Sequence, residues 1–270
     1  MNQTTMTSKS INAVIFDWAG TIVDYGSRAP ALAFVELFLQ RGVSLTMKEA
    51  RGPMGLDKRK HIEELCKLEA IQSQWLQRYG RLPEQKDINE LYEEFLPIQL
   101  RTIQDCSKLI PGVLEVISTL RSRGIRIGTT TGYNSKFIEE VNRLSRQQGL
   151  YVDAIVCSSD VDQGRPYPWM AWECAKRLGV FPPNSIVKVG DTIVDIEEGI
   201  NAGMWSIGVT FTGNEFGLSE RELLALDRQE RDLLESSAKN RMLQAGAHGV
   251  IRSIQELPME IKRIEGLIKT

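Results

Sequence analysis

The chain has 270 residues, an apolar fraction of 42% and a formal net charge of −2, which suit a soluble globular protein of one large or two smaller domains. The near-neutral charge predicts no nucleic-acid partner and no attraction to an anionic membrane. The polar first ten residues, the lack of an apolar run that could span a bilayer and four scattered cysteines indicate a cytoplasmic protein without membrane contact.

The first predicted element is a buried strand over Ala13–Phe16, an apolar and partly β-branched run. Asp17 follows the strand, and the small residues Ala19 and Gly20 come next, which lets a ligand approach the backbone. Because ligands of open α/β sheets lie beyond the carboxyl ends of the strands, Asp17 is a candidate catalytic residue. An aspartate after a strand is equally typical of a turn or a helix cap.

The following eighty or so residues carry helical patterns only. Apolar residues at helical spacing predict helices over residues 29–41, 47–51, 57–68 and 84–105, separated by Gly42, by the Gly52–Gly55 break and by Pro83. An all-helical insertion after a first strand predicts a separate cap domain. We therefore expect residues 27–106 to form a helical cap domain and residues 1–26 and 107–270 to form an α/β core domain.

From Gly112 onward, helices and strands alternate. The pattern predicts strands at residues 125–129, 154–157, 186–189 and 205–209, with helices at 113–123, 134–148, 167–178 and 193–202. This alternation predicts a doubly wound, Rossmann-like parallel sheet. The highly charged segment 219–245 is predicted to be helical, and the sequence assigns no function to it. Residues 250–253 are expected to form an edge strand before a final helix.

Polar residues follow the ends of four predicted strands, and the parallel arrangement would bring them to one edge of the sheet. Two carboxylates facing each other there would repel unless a cation lies between them, and Mg²⁺ prefers such oxygen ligands together with phosphate oxygens. A hydroxyl, a backbone N–H and a guanidinium suit the other oxygens of a phosphoryl group. The residues concerned are Asp17, Thr131, Gly132, Arg165, Asp191 and Asp195.

The motifs Phe16-Asp17-x-x-Gly20-Thr21 and Gly190-Asp191-Thr192-x-x-Asp195, in this order around a Thr-Thr-Gly strand end, resemble the haloacid dehalogenase superfamily. The resemblance implies that Asp17 is a nucleophile, that a phosphoaspartate intermediate forms and that Mg²⁺ is the cofactor. Phosphatases of this superfamily usually have a second aspartate two residues after the nucleophile, where this chain has Ala19. A positioned general acid contributes about 10²–10⁴-fold in rate, so expulsion of an alkoxide would be slow.

A lysine amine offers another way to stabilise a leaving group, because condensation with a carbonyl gives an iminium that accepts an electron pair. The stretch 54–61 contains Lys58, with His61 three residues later on the same helical face. On spacing alone, Lys60 is an equal candidate. A basic run of this kind is also typical of a solvated helix start.

Longer motifs resemble the phosphonoacetaldehyde hydrolase (phosphonatase) family, from about residue 11 to past residue 208. They are Phe-Asp-Trp-Ala-Gly-Thr, Pro-Met-Gly-Leu-x-Lys-x-x-His, Thr-Thr-Gly-Tyr, Gly-Arg-Pro-Tyr-Pro-Trp-Met and Val-Gly-Asp-Thr. The resemblance implies a Schiff base on Lys58 with Met54 and His61 beside it, and Asp17 as the nucleophile. It also implies Mg²⁺ held by Asp17, the Ala19 carbonyl and Asp191, phosphonate contacts from Thr131, Gly132 and Arg165, Tyr133 beside the aldehyde, and Asp195 behind the metal ligands.

The activity that the resemblance implies is hydrolysis of phosphonoacetaldehyde to acetaldehyde and phosphate, in a homodimer joined through the cap. Ser27 stands where some family members have a cysteine, so no thiol chemistry is expected there. Two other functions remain open at this point. One is a Mg²⁺-dependent phosphatase acting on a small phosphate ester, in which the absence of an acid at Ala19 is compensated. The other is a non-catalytic phosphate-binding module.

Overall fold

The structure, a computed structural model, describes residues 10–269, and within them the chain forms one six-stranded sheet flanked by helices. The strands are β1 (Ala13–Phe16), β2 (Arg126–Thr131), β3 (Ala154–Cys157), β4 (Ile186–Gly190), β5 (Trp205–Val209) and β6 (Gly249–Ile251). Every neighbouring pair is parallel. The predicted doubly wound parallel fold is confirmed, although residues 1–9 and 270 of the predicted core domain lie outside the described residues.

The strand order is β3-β2-β1-β4-β5-β6, so the chain builds the sheet outward from β1 in one direction and then from β4 in the other. The boundary between β1 and β4 is therefore the topological switch point, where a crevice opens at the carboxyl edge. Phe16, the last residue of β1, pairs with Val189 of β4. Asp17 and Asp191 follow these two strands and consequently border the crevice.

Alternate residues of β1 point to opposite faces of the sheet, as the pleat requires. Ala13 and Ile15 belong to one apolar cluster, and Val14 and Phe16 belong to a larger cluster on the other face. Both faces are covered, which explains why the strand is a continuous apolar run rather than an alternating one.

Six helices separate β1 from β2, and the first five lie within residues 28–106, which we call the helical insert. These five are α1 (Arg28–Gln40), α2 (Met47–Arg51), α3 (Lys58–Cys66), α4 (Glu69–Tyr79) and α5 (Gln85–Cys106). Helix α1 packs along α5, where the rings of Phe34 and Phe95 stack with centroids 4.5 Å apart. Helix α4 was not predicted, because only Ile71 and Trp75 of its residues are buried. That the insert is a separate domain stays a prediction.

The remaining helices flank the sheet: α6 (Val113–Ser122), α7 (Ser135–Gln147), α8 (Trp169–Leu178), α9 (Ile193–Asn201), α10 (Glu220–Ala225), α11 (Arg228–Gln244) and α12 (Leu257–Lys269). The segment 219–245, predicted to be helical, forms two helices, α10 and α11. Leu226 has an extended backbone, and the Asp227 side chain accepts the Glu230 N–H at 2.8 Å, which starts a new helix. No helix of the described chain has the length and apolar character needed to cross a membrane.

Candidate active site

A cavity of about 20 Å³ lies between the carboxyl edge of the sheet and the helical insert. Every residue that the sequence assigned to the site, except His61 and Asp195, lines this cavity, and so does Ser27. The lining residues used below are Asp17, Ala19, Met54, Lys58, Thr131, Gly132, Tyr133, Arg165, Asp191 and Thr192. The structure thus brings Asp17 and Asp191, which lie 174 positions apart in the sequence, to one cavity. Their chemical roles stay predictions.

Three buried carboxylates meet on one side of the cavity. One oxygen from each of Asp17, Asp191 and Asp195 lies within 4.8 Å of the others. Burial and the neighbouring Asp195 raise the pKa of Asp17 to about 6, and burial and the neighbouring Asp17 raise the pKa of Asp191 well above its usual value. Such repulsion in a buried position is what a divalent cation relieves. The cluster therefore fits a Mg²⁺ ion.

The three carboxylates are not equally free to bind an ion. Asp195 Oδ1 lies 2.6 Å from Lys188 Nζ and 3.0 Å from a nitrogen of Arg165. Its other oxygen accepts the Thr192 hydroxyl at 2.5 Å. Asp191 Oδ2 accepts the backbone N–H of Asn214 at 2.7 Å. Asp17 and Asp191 are therefore the better candidates for direct ligands, and Asp195 orients the positive groups around them.

Arg165 is nearly fully buried and its guanidinium is held by three separate elements. One terminal nitrogen lies 2.8 Å from Asp17 Oδ1 and donates to the Thr130 carbonyl oxygen at 2.8 Å. The Nε–H donates to Glu198 Oε2 at 3.0 Å. This arrangement fixes the plane of the guanidinium beside Asp17, where it can balance negative charge on a phosphoryl group.

Lys188 and Glu198 support this arrangement, and sequence reasoning missed both. They are fully buried, and Lys188 Nζ lies 3.4 Å from Glu198 Oε2. The lysine gave a usable signal, because a charged residue inside the apolar strand Ile186–Gly190 must find a buried partner. Glu198 gave none, since acidic residues on a helix are ordinarily solvated.

Lys58 is 6% exposed and stands at the first position of α3. The interpretation of the basic run as a solvated helix start is therefore wrong for this residue. Its Nζ lies 5.1 Å from the ring centroid of Tyr133 and 5.8 Å from that of Phe34. Burial lowers the pKa of Lys58 to about 8, although the negative charge of Asp17 opposes the shift. A lysine in this state supplies more neutral amine than an exposed one.

His61 lies one turn behind Lys58 and is fully buried. Its ring stacks on Phe34 at 3.9 Å, and Nε2 donates to the Ala50 carbonyl oxygen at 2.9 Å. Burial and the nearby Lys58 lower the pKa of His61 well below its usual value. Among the described residues, Nδ1 has no hydrogen-bond partner. His61 is therefore a neutral imidazole with one free acceptor, outside the cavity wall but close to the amine.

The insert reaches the core at Gly132, directly after β2. A Cβ at this position would lie 2.6 Å from the Leu56 carbonyl oxygen and 3.0 Å from that of Gly55. Only glycine permits this approach of two backbones. The hydroxyl oxygen of the preceding residue, Thr131, accepts the Tyr133 N–H at 3.1 Å, which leaves the hydroxyl proton free to be donated into the cavity.

Comparison with known proteins agrees with this geometry. The model of the haloacid dehalogenase-like hydrolase family matches residues 11–203. A phosphonoacetaldehyde hydrolase from Bacillus thuringiensis is 46% identical over 256 residues, which cover 94% of this chain and 97% of that protein. The solved structure of a phosphonoacetaldehyde hydrolase-like protein from Oleispira antarctica has a TM-score of 0.97 at 39% identity and covers 99% of this chain and 97% of that one.

A further relative is longer. A bifunctional phosphonoacetaldehyde hydrolase/aminoethylphosphonate transaminase from Clostridioides difficile is 44% identical over 257 residues, which cover 95% of this chain and 40% of that protein. The chain therefore spans well under half of the bifunctional relative and nearly all of the shorter ones.

The fold, the strand-end carboxylates and the family match define a haloacid dehalogenase-like hydrolase. Within that class, the chain belongs to the phosphonoacetaldehyde hydrolase family, so the resemblance deduced from the motifs is confirmed.

Proposed function

We propose that the protein hydrolyses the phosphorus–carbon bond of phosphonoacetaldehyde, through an imine on Lys58 and a phosphoaspartate on Asp17. The observation that carries the proposal is the buried amine of Lys58 in the wall of the same cavity as Asp17 and Arg165. A carbon leaving group needs an electron sink, and an amine that has condensed with the aldehyde supplies it. Ala19 cannot serve as the general acid that protonates the leaving group of a phosphate ester, and cleavage through an imine does not need an acid at this position.

The first step uses the lowered pKa of Lys58. The neutral amine adds to the aldehyde carbon and water leaves, which gives an imine that is protonated to an iminium. His61 Nδ1, which has no partner among the described residues, is the acceptor that can take or return a proton at this stage. Met54 and the Tyr133 ring wall off the amine, which keeps bulk water from the imine.

In the second step, a carboxylate oxygen of Asp17 attacks phosphorus as the phosphorus–carbon bond breaks, and the bonding electrons move into the iminium to form an enamine. Arg165, the Thr131 hydroxyl and the Gly132 N–H hold the phosphonate oxygens in line. The enamine takes a proton on carbon and is hydrolysed to acetaldehyde, which frees Lys58. Water then cleaves the phosphoaspartate to phosphate.

Magnesium is the proposed cofactor, held by Asp17, the Ala19 carbonyl oxygen and Asp191. When bound, it neutralises charge on the carboxylates and on the phosphoryl oxygens. Arg165 and Lys188 pair with this acidic cluster and with the buried Glu198, which together carry four carboxylates. A divalent ion fits the remaining excess of two negative charges.

We also infer that the helical insert acts as a lid. The cavity of about 20 Å³ holds little more than a water molecule, so the insert must move away from Gly132 before a substrate enters. Closure then excludes water during the imine step.

We further propose that the protein is a cytoplasmic homodimer joined through the insert.

Trapping with borohydride tests the proposal. The protein is incubated with phosphonoacetaldehyde and Mg²⁺, reduced, digested and mapped by mass spectrometry. We expect an adduct on Lys58, and we expect the variant Lys58→Arg to lose both the adduct and at least 10³-fold of phosphate release, about 4 kcal/mol of transition-state stabilisation. Lys60→Arg is the matched control, because Lys60 lies two residues away and outside the cavity lining.

The outcomes separate the candidate functions. Phosphate release that Lys58→Arg does not affect, together with rapid hydrolysis of simple phosphate esters, would indicate an ordinary phosphatase. Binding of the phosphonate with no turnover in the wild type would indicate a phosphate-binding module. An adduct on Lys60 instead of Lys58 would move the imine to the neighbouring lysine.

A further inference from the structure

Arg51, the last residue of α2, connects the helical insert to two separate parts of the core. One terminal nitrogen donates to the Gly26 carbonyl oxygen at 2.8 Å and to that of Ser27 at 3.2 Å. The other donates to the Gly217 carbonyl oxygen at 2.9 Å. No sequence motif singled out this arginine, and the proposed mechanism does not use it.

The first contact point is the segment where the chain leaves the core for the insert. Asp24 and Ser27 both have positive φ angles, of 57° and 49°, in a region that residues other than glycine rarely adopt. Asp24 also accepts the Ala29 N–H at 2.9 Å, which ties this segment to the start of α1. Arg51 binds the carbonyl oxygens of Gly26 and Ser27 and therefore contacts a hinge segment about which the insert can move.

The second contact point is the segment 210–218 after β5, which we call the β5 loop. Asn214 is its central residue: its side-chain oxygen accepts from Arg51 at 3.2 Å and its amide donates to the Arg51 carbonyl oxygen at 3.3 Å. The backbone N–H of the same residue donates to Asp191 Oδ2 at 2.7 Å. One residue thus joins the insert to a proposed metal ligand.

Other residues of the β5 loop contact the segment that precedes the insert and Arg51 itself. The Thr212 hydroxyl donates to the Gly20 carbonyl oxygen at 2.7 Å, and the Thr212 carbonyl oxygen accepts the Gly26 N–H at 2.7 Å. Gly217 has a φ of +63°, and a Cβ there would lie 2.5 Å from Arg51 Nε. Arg51 therefore packs directly against the backbone of this loop at Gly217.

We propose that Arg51 is a positioning residue that couples closure of the helical insert to the placement of Asp191 through the β5 loop. The proposal rests on the proposed function in that Asp191 holds the metal and the insert opens. When the insert closes, Arg51 locks Asn214, and Asn214 fixes the carboxylate oxygen that it contacts. When the insert opens, these bonds break and the ligand is released from its fixed orientation. The metal site is then complete only when the lid is shut.

Two measurements on Arg51→Gln test the coupling, and neither depends on turnover. Hydrogen exchange of the metal-free protein should show at least tenfold faster exchange for the amides of residues 212–218. Calorimetric titration with Mg²⁺ should show about tenfold weaker binding, the lower end of the range for residues that orient a ligand. The matched control is Arg41→Gln, since Arg41 binds Glu90 and Glu94 within the insert and touches no core element in these bonds.

A second variant keeps the test decisive if Arg51→Gln folds poorly. Asn214→Ala retains the backbone N–H to Asp191 but removes both side-chain bonds to Arg51, and it should show the same two effects. In the double variant the effects should not add, because both residues act in one chain of contacts.

The proposal is overturned if both variants keep wild-type exchange over residues 212–218 and wild-type Mg²⁺ affinity, or if Arg41→Gln changes them equally. If the wild type itself binds no Mg²⁺, the metal in the proposed function is wrong, whereas the exchange measurement still decides whether Arg51 fixes the β5 loop.

Discussion

At the scale of single residues, Lys58 occupies a position that disfavours its charged form. Lys58 is almost fully buried, the rings of Tyr133 and Phe34 lie beside its Nζ, and it forms no ion pair with a carboxylate of the described residues. A buried ammonium without a close counter-ion is costly. The same burial that destabilises the cation produces the neutral amine that the reaction needs.

The stability cost of Lys58 can be measured as a function of pH. The pKa falls from 10.5 to about 8 on folding, so between these values the unfolded chain binds more protons and wild-type stability rises with pH. Below pH 8 the full cost is present. We expect Lys58→Met to increase the free energy of unfolding by about 3 kcal/mol at neutral pH, and the difference to shrink as the pH approaches 10. Urea unfolding of the metal-free protein at several pH values measures the difference in the free energy of unfolding and its dependence on pH.

The matched control is Lys176→Met, because Lys176 is exposed and its partner is Glu173 on the same helix. Such a pair contributes well under about 1 kcal/mol, so this variant should show no comparable pH trend. A Lys58→Met protein that is less stable than the wild type, or a difference that does not change with pH, would contradict the burial argument.

At the scale of elements, the start of α3 determines where the amine lies. Asp57 precedes the helix, and its carboxylate accepts the Lys60 N–H at 3.1 Å. The same carboxylate raises the pKa of Lys58, against the larger effect of burial. Asp57 therefore has two separable roles, a cap that needs only an oxygen acceptor and a charge that only a carboxylate provides.

Substitution of Asp57 separates these roles. Asp57→Ala should cost about 1 kcal/mol of stability, whereas Asp57→Asn should cost a few tenths, because asparagine still caps. Both variants should lower the pKa of Lys58 below about 8, so the pH profile of borohydride trapping should move to lower pH in both. Urea unfolding and the trapping profile are the measurements.

Asp227 supplies the control for this pair, since it caps α11 in the core through the Glu230 N–H. Asp227→Ala should lose similar stability and leave the trapping profile unchanged. If Asp57→Asn lost as much stability as Asp57→Ala, or left the profile in place, the division of roles would be wrong.

The elements themselves were largely predictable from the sequence, because periodicity and capping are local. The strands Ala13–Phe16, Ala154–Cys157 and Trp205–Val209 fall at their predicted bounds. Helix α4 escaped prediction because a surface helix with two buried residues has almost no apolar stripe. The strand-end residues of the site could be placed together because the parallel topology fixes where strand ends meet.

What could not be predicted are contacts between distant segments whose residue types are ordinary. Arg51 and Asn214 are 163 positions apart, and neither stands at the end of a predicted strand. Glu198 lies on a helix and reaches Thr130 from 68 positions away. Only the packing of the whole sheet brings such residues together, so a motif search does not find them.

At the scale of the whole molecule, the insert and the sheet share one apolar cluster. Val14 and Phe16 of β1 belong to it together with Phe34 and Trp75 of the insert. The edge-to-face contact of Phe95 with Phe137 of α7, at 6.1 Å, joins the two parts. A lid that opens must therefore separate part of this cluster, which favours the closed arrangement when no substrate is bound.

The outer face of the insert carries apolar side chains that the described chain leaves partly uncovered. Leu32 and Leu39 of α1 are 37% and 63% exposed, and Val35 lies between them at helical spacing. Residues spaced by three and four positions form one stripe on a helix. Exposed apolar stripes on a protein surface commonly mark an interface, and this one lies on the part of the chain through which we propose that two copies pair.

The variant Leu39→Glu tests the homodimer. A carboxylate buried in an apolar interface would have to lose its hydration without gaining a partner, so we expect the dimer dissociation constant to rise at least about 100-fold, equivalent to about 2.7 kcal/mol. Sedimentation and light scattering over a range of concentrations measure it.

Leu224→Glu is the control, because Leu224 is 73% exposed on α10 of the core and should tolerate the charge. A wild-type protein that stays monomeric at high concentration would refute the dimer, and a dimer that survives Leu39→Glu would move the interface away from α1. Loss of the dimer with retained imine trapping on Lys58 would show that each copy holds a complete site.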